Sequence, residues 1–248
     1  FGIFMAAADS SVVEVDGHAE CVLSTLNGTI RLIDEDIPVF VVAMAATGRI
    51  MRKRGLALSL VGDAIAREAE AGVPLSMLGM FEQGAYDKLG FGTGAYQTWH
   101  QFSPAQLSVP VPTRKISRLG LDDWERIHAS RRSRKLHHGA VNIDHPAATH
   151  RRMLVTQEGF GLGFVDDAGR LTHHFWIEPD GDRGPYDINW LAWQNGEQLR
   201  ELLGLIKMLE DQVLAVRLME PPGCQIQSML RNPFGARRET SGSRFAHS

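Results

Sequence analysis

The chain has 248 residues, 44% of them hydrophobic and 22% charged, which is ordinary for a soluble globular protein and gives enough length for two domains. A formal net charge of −3 excludes a global pull toward nucleic acid or acidic membranes, and two cysteines, Cys21 and Cys224, exclude a disulfide framework and fit a reducing cytosol. No apolar run approaches the roughly 20 residues of a membrane span. The start, F-G-I-F-M-A-A-A-D, lacks the basic segment of a secretory signal and an initiator Met, so the chain is expected to begin after processing or to be a piece of a longer product.

Val12–Val15 and Ala19–Leu26 flank Asp16-Gly17, a pair that predicts a hairpin. Asn27 and Gly28 suggest the next turn, Ile30–Ile33 a further short strand, and Asp34, Glu35 and Asp36 an acidic turn. Val39–Ala46 is almost wholly apolar and β-branched, which predicts a strand buried on both faces. A basic loop follows, then an amphipathic helix. Leu60, Val61, Ala64, Ile65 and Ala69 fall on one helical face, while Ser59, Asp63, Arg67 and Glu70 fall on the other. Gly72 stops it. Val73–Met80 reads as a second apolar strand, parallel to the first because a helix joins them. Gln83–Leu89 reads as a short helix closed by Gly90, and Tyr96–Phe102 alternates as a strand. Gly90, Gly92 and Gly94 do not match a dinucleotide fingerprint, because the spacing is wrong and no helix follows.

The loop Arg52–Ala57 points to an anion. The first turn of a helix leaves backbone N–H groups without partners, and the helix dipole adds positive charge there. Three cations, Arg52, Lys53 and Arg54, stand where electrostatics alone would favour acids, and Gly55 and Ala57 let a ligand approach the backbone. A diphosphate satisfies all of these groups. The spacing is not that of a Walker loop. Arg52, Gly55 and Ala57 match the R/Q-x-x-G-x-G/A signature, and Tyr86, Lys88, Gly90 and Phe91 come close to Y-x-K-x-G-F. On these motifs residues 39–102 resemble the GNAT N-acetyltransferases.

The resemblance implies acetyl-CoA as co-substrate, its pyrophosphate on Arg52, Lys53, Arg54, Gly55, Leu56, Ala57 and Leu58. Its pantetheine arm would run between two splayed strands, beside Ala45, Ala46 and Thr47 on one side and Phe81 and Glu82 on the other. The family places a tyrosine near the thioester sulfur, which makes Tyr86 the implied catalytic acid; packing in the core beside Leu89 is the competing role. Glu82 is the carboxylate nearest the motifs in sequence and a candidate base. A complete GNAT domain begins with a strand and one or two helices that this sequence is not expected to contain.

Ser103–Pro112 holds three prolines and no charge, the composition of a linker. Beyond it come a strand candidate at Thr113–Leu119 and a helix with an acidic capping pair, Asp122 and Glu125. Arg131, Arg132, Arg134 and Lys135 form a basic run better explained by a solvated helix end than by nucleic-acid binding. Phe160–Val165 and Leu171–Ile177 flank a D-D-A-G turn as a hairpin. His173 and His174 are adjacent, so a strand points them to opposite faces and they cannot share a metal; no metal is expected. Asp187–Trp193 is a strand, Asn195 and Gln198 cap a strong amphipathic helix, and Val213–Leu218 is the strand after it. This order looks like a second GNAT fold without the anion loop, because Glu197 in the first helical turn repels phosphate.

The expected class is therefore α/β (α+β), two tandem GNAT-like folds with mixed central sheets flanked by helices, the first truncated at its N-terminus. The expected domains are 1–104, 105–230 and a flexible tail 231–248. Two joined units of this kind resemble the enhanced intracellular survival (Eis) acetyltransferases. That resemblance implies a small-molecule or lysine-type amine acceptor, a homo-oligomer, a cytoplasmic location and no membrane partner. It also implies a third domain whose terminal carboxylate serves as base, so these 248 residues are expected to bind CoA and transfer acetyl slowly. A degenerate CoA-binding or assembly module is the alternative reading.

Overall fold

The computed structural model describes residues 2–79, 84–94, 96–156, 158–220 and 223–242. In chain order the elements are α1 (Gly2–Ala7), β1 (Asp9–Val15), β2 (His18–Leu32), β3 (Glu35–Thr47), α2 (Leu56–Glu70), β4 (Leu75–Leu78), β5 (Tyr96–Phe102), β6 (Ser117–Leu119), α3 (Trp124–Arg132), β7 (Val141–Ile143), α4 (Ala147–Val155), β8 (Phe160–Val165), β9 (Leu171–Pro179), β10 (Tyr186–Ala192), α5 (Gly196–Lys207), β11 (Val216–Met219) and β12 (Arg237–Gly242). They form two compact units, each with its own mixed sheet. No helix among the described residues is long and apolar enough to cross a membrane.

The first unit is built on the sheet β1-β2-β3-β4, with β7 also paired to β2. Asp16 and Gly17 close the β1–β2 hairpin with φ of 52° and 78°, the left-handed pair that a two-residue loop requires. Strand β2 then runs straight through Asn27 and Gly28, where a turn was expected, and the chain reverses at Ile33 instead. Gly28 serves another purpose: a Cβ there would lie 2.1 Å from the Asn142 carbonyl oxygen of β7. The glycine admits a neighbouring backbone rather than bending its own.

Strand β3 is antiparallel to β2 and parallel to β4, so β3, α2 and β4 make one crossover. Helix α2 buries Leu60, Val61 and Ala64 against Cys21, Leu23, Phe40 and Val42 of the sheet. Ala69, expected on this face, is exposed; Glu68 is buried instead, because the buried row steps from Ala64 to the residue four further on. The 3-10 helix Tyr86–Leu89 is shorter than expected, and Met80 and Gln83 lie outside the described residues.

The second unit has the strand order β12-β5-β11-β10-β9-β8-β6. Strand β10, helix α5 and strand β11 form a second parallel crossover, with Leu202, Leu203 and Ile206 packed on Phe175, Ile177 and Ile188. The division differs from the one the proline-rich linker suggests. Strand β5 precedes that linker yet pairs with β11, and residues 137–148, which follow α3, join the first unit. The expected tail also carries structure: Arg237–Gly242 is the edge strand β12. The expected Asp122–Glu125 cap of α3 is not formed: Asp123 is its N-cap without a side-chain cap bond, and the Asp123 carboxylate accepts instead from the Gly120 N–H at 2.8 Å, capping the 3-10 turn Leu121–Asp123.

His173 and His174 do point to opposite faces of β9. His173 lies against Glu201 and Arg114, while His174 lies against Ser130 and Trp190. The Trp190 indole donates to His174 Nε2 at 3.1 Å, which fixes that nitrogen as an acceptor and the ring as neutral. Burial, then the charge of Arg131, pushes His174 down to about 3. Burial likewise lowers His173 to about 4, against the opposing pull of Glu201, so the His173–Glu201 contact is not an ion pair at neutral pH. The basic run is not a solvated helix end throughout: the Arg131 guanidinium stacks over Trp190 at 4.4 Å and donates to Thr149 Oγ1.

Two predictions come from this packing. Gly28→Ala should destabilise the first unit by about 1–3 kcal/mol through overpacking against β7, whereas Gly196→Ala, whose Cβ meets open space, should not; thermal denaturation of both variants checks this. The two histidines have folded pKa values below their unfolded 6.5, so the stability that they contribute is complete above that pH and lost as pH falls from 6.5 toward 4 and 3. Urea midpoints measured from pH 8 to 4 should fall over that window, and less steeply in His174→Gln.

Candidate active site

The candidate site is the junction of β3 and α2. Along β3, Val42 pairs with Thr25 and Met44 with Ser24, so Ala43 is an extra residue, a β-bulge. On the other edge the parallel register runs from Val39↔Leu75 to Val42↔Leu78 and ends there. Strand β3 nevertheless continues to Thr47, still held by β2 through Ala45↔Leu23 and Thr47↔Cys21. Beyond the bulge, Met44–Thr47 therefore have a strand partner on one edge and none on the other among the described residues. Ala45 and Thr47 are half-buried and Ala46 is exposed; Thr47 Oγ1 lies 3.3 Å from Cys21 Sγ.

The loop is pinned at its start. The Gly48 N–H donates to the Glu20 carbonyl at 2.7 Å, and Met51 is buried at the end of the 3-10 turn Arg49–Met51. Arg52 is extended, and Lys53 has φ 62°, a left-handed conformation uncommon for a residue with a side chain. Gly55, with φ 82°, is the N-cap of α2. Having no side chain, it cannot cap, and among the described residues no side-chain oxygen is seen to accept from the first-turn amides at Leu56, Ala57 and Leu58. Arg49, Arg52, Lys53 and Arg54 are all exposed, and none forms an ion pair among the described residues. The first turn of α2 holds no acid. Amides with no side-chain cap, the positive end of a 15-residue helix and cations with no ion pair among the described residues thus lie within one short stretch, a combination suited to an anion.

Tyr86 begins the 3-10 helix Tyr86–Leu89 in the same unit. It is half-buried, packs with Leu89 against the core of that unit, and meets Phe91 edge-on with ring centres 6.0 Å apart. Gly90 closes the turn with φ 87°. Phe81 and Glu82 lie outside the described residues. Among the described residues no three His, Cys, Asp or Glu side chains are grouped to hold an ion.

No protein-family model and no curated protein matches the chain. Solved structures do. A protein of unknown function from Enterococcus faecalis V583, described as a probable N-acyltransferase, superposes with a TM-score of 0.79 at 14% identity over 99% of this chain and 62% of that one. Eis1 from Mycobacterium abscessus gives 0.75 at 14% identity, over 94% of this chain and 62% of its own. A GCN5-related N-acetyltransferase from Anabaena variabilis gives 0.75 at 16% identity, over 96% and 64%. The chain shares the fold of these structures. The chain spans less than two thirds of the length of these structures.

The two units carry the same crossover with opposite chemistry at its helix start. In the second, Ile188↔Leu218 is the last parallel pair, and a register shift in β10 follows at once, as in the first. There, however, Asn195 Oδ1 accepts from the Gln198 N–H at 3.0 Å, Gln198 Oε1 accepts from the Gln194 N–H at 2.8 Å, and Glu197 occupies the first turn. That helix start is already satisfied and is negative. Sequence patterns alone miss the bulge at Ala43 and the strained backbone of Lys53. They also pass over Arg49, whose charge is visible in the sequence but lies outside the signature.

The left-handed Lys53 yields a test that separates fold from ligand. Lys53→Gly should stabilise the free protein, by about 0.5–1 kcal/mol, by relieving the positive φ. It should weaken binding of a diphosphate ligand through lost charge. Calorimetric melting with and without ligand measures both signs in one variant.

Proposed function

We propose that this protein is an acetyl-CoA-dependent N-acetyltransferase that moves acetyl to a primary amine by direct attack in a ternary complex. The observation that supports this most is the uncapped, cation-rich start of α2 set at the end of a strand whose edge opens just past a bulge. The pyrophosphate would sit on the backbone of Lys53–Leu58. The pantetheine arm would run along Ala45–Thr47 as an added strand, its amides pairing with that open edge.

The amine nitrogen attacks the thioester carbonyl, and the tetrahedral intermediate expels the CoA thiolate, which must gain a proton. Tyr86 supplies it in this reading. With reference pKa values of about 10 for tyrosine and about 8.5 for a thiol, the transfer has no large mismatch. The incoming amine must lose a proton first, since a lysine-like acceptor has a reference pKa of about 10.4. Glu82 is the candidate base by sequence. The acceptor is a small amine or a lysine-type side chain, and the working form is a cytoplasmic homo-oligomer. A CoA-binding module without turnover is the second reading, favoured by the packing of Tyr86 against the core of the first unit.

Calorimetry with acetyl-CoA and turnover with a panel of amines test this. Gly55→Asp should abolish binding, because a carboxylate at the N-cap takes the place of the diphosphate; equal affinity in wild type and variant would sink the cofactor assignment. Tyr86→Phe should lower kcat by about 10²-fold or more and leave acetyl-CoA affinity nearly intact. An unchanged kcat would return Tyr86 to a packing role.

A further inference from the structure

We infer that Arg114, Glu201 and His173 form an acid-released clasp that holds the proline-rich segment of the second unit against α5. That segment, expected as a linker, lies along the helix. Leu107 and Val109 are buried in the core of the unit, and the Lys207 ammonium donates to the Val109 carbonyl at 3.1 Å. Pro110 and Pro112 press on Gly204 of α5, where a Cβ would meet the Pro110 carbonyl oxygen at 2.5 Å. Arg114 is the next anchor. Its Nε and Nη2 donate to the two carboxylate oxygens of Glu201 at 2.7 and 2.9 Å, and its guanidinium lies 4.1 Å from the centre of the Phe164 ring.

Thr172 fixes where the protons of this clasp sit. Its hydroxyl donates to the Phe164 carbonyl at 3.0 Å, so toward His173 Nδ1, 2.9 Å away, it accepts. Nδ1 therefore carries the ring proton, and Nε2 of the neutral ring is an acceptor. Two groups face that nitrogen, Arg114 Nη2 at 3.2 Å and Glu201 Oε2 at 3.0 Å. In the neutral state Arg114 donates to both acceptors and bridges them. A second ring proton reverses the pattern: Nε2–H donates to Glu201 and meets the guanidinium as a like charge. His173 is 1% exposed and held by Thr172 and the Phe164 ring, whereas the Arg114 side chain is 44% exposed. The arginine is the group that can leave, and the segment it anchors is released with it. His174, on the opposite face of β9, is the other titratable neighbour and stays neutral above about pH 3. Burial of His173, opposed by Glu201 and reinforced by Arg114, keeps the clasp closed at neutral pH and opens it as pH falls through about 4.

The test is an NMR titration of the whole chain from pH 7 downward, following the His173 ring and the Arg114 Nε–Hε resonance. Wild type should lose the Arg114 resonance over the pH range in which His173 takes up its proton, while the remaining tertiary structure persists. Loss of that resonance only together with the rest of the fold would overturn the inference. In Arg114→Gln the His173 midpoint should rise by about one pH unit, because the charge that opposes protonation is gone and the coupling is reciprocal. An unshifted midpoint would overturn the inference. His173→Gln should keep the Arg114 resonance to lower pH than wild type. The same acid loss in that variant would assign release to protonation of Glu201 and overturn the role of His173. Where His173→Gln does not fold, the titration of Arg114→Gln, a substitution at a largely exposed side chain, decides.

Discussion

The first unit depends on where the parallel pairing of β3 and β4 stops. Val42↔Leu78 is the last pair, and both side chains belong to the cluster that holds α2 on the sheet. Burial of Phe40, Val42, Leu60, Val61, Ala64 and Leu78 contributes in proportion to the apolar area removed from water, at about 25 cal/mol per Å². That packing places the start of α2 at the end of β3. Ala43 then bulges, and among the described residues the next four residues of β3 keep β2 on one side only. A hydrophobic contact thus determines where a hydrogen-bonding edge opens and where a helix dipole points.

The two crossovers show how little chemistry a topology contains. Both have a parallel pair, a register shift directly after it and an amphipathic helix between the strands. In α5, Asn195 and Gln198 satisfy the helix start from within, and Glu197 adds negative charge. In α2, Gly55 provides no side-chain cap, and the exposed cations Arg49, Arg52, Lys53 and Arg54 precede the helix in the chain. Capping stabilises a helix by about 1 kcal/mol. Its absence at α2 gives up that stability and keeps the amides available. Binding capacity and local stability compete for the same N–H groups.

Elsewhere the second unit buries titratable groups against aromatic and hydroxyl partners. His174 accepts from Trp190 on one side and faces Ser130 on the other, an arrangement that has no place for a second ring proton. Arg131 lies flat on the same Trp190, and burial together with Arg134 and Arg152 lowers its pKa to about 9. These groups specify how α3 packs on the sheet. Read from the chain alone, a run of arginines and a pair of histidines could equally have been a surface or a metal site.

The sequence by itself determined the local elements with strong periodicity: the Asp16-Gly17 hairpin, the apolar core of β3, the amphipathic faces of α2 and α5, and the Asn195–Gln198 cap. Each is set by contacts within a few residues, so the pattern carries the whole cause. The glycine, the cations and the helix of the loop Arg52–Leu58 were legible for the same reason, since they are contiguous. Tertiary structure alone decided the rest. Gly28 reads as a turn until β7, more than a hundred residues later, presses its backbone against it. Strand β5 reads as the end of the first domain until β11 pairs with it, and Arg237–Gly242 reads as a tail until it becomes a sheet edge. Strand partners far apart in the chain leave no mark on local composition. The bulge at Ala43 likewise exists only as a mismatch between two registers, and no single strand encodes it.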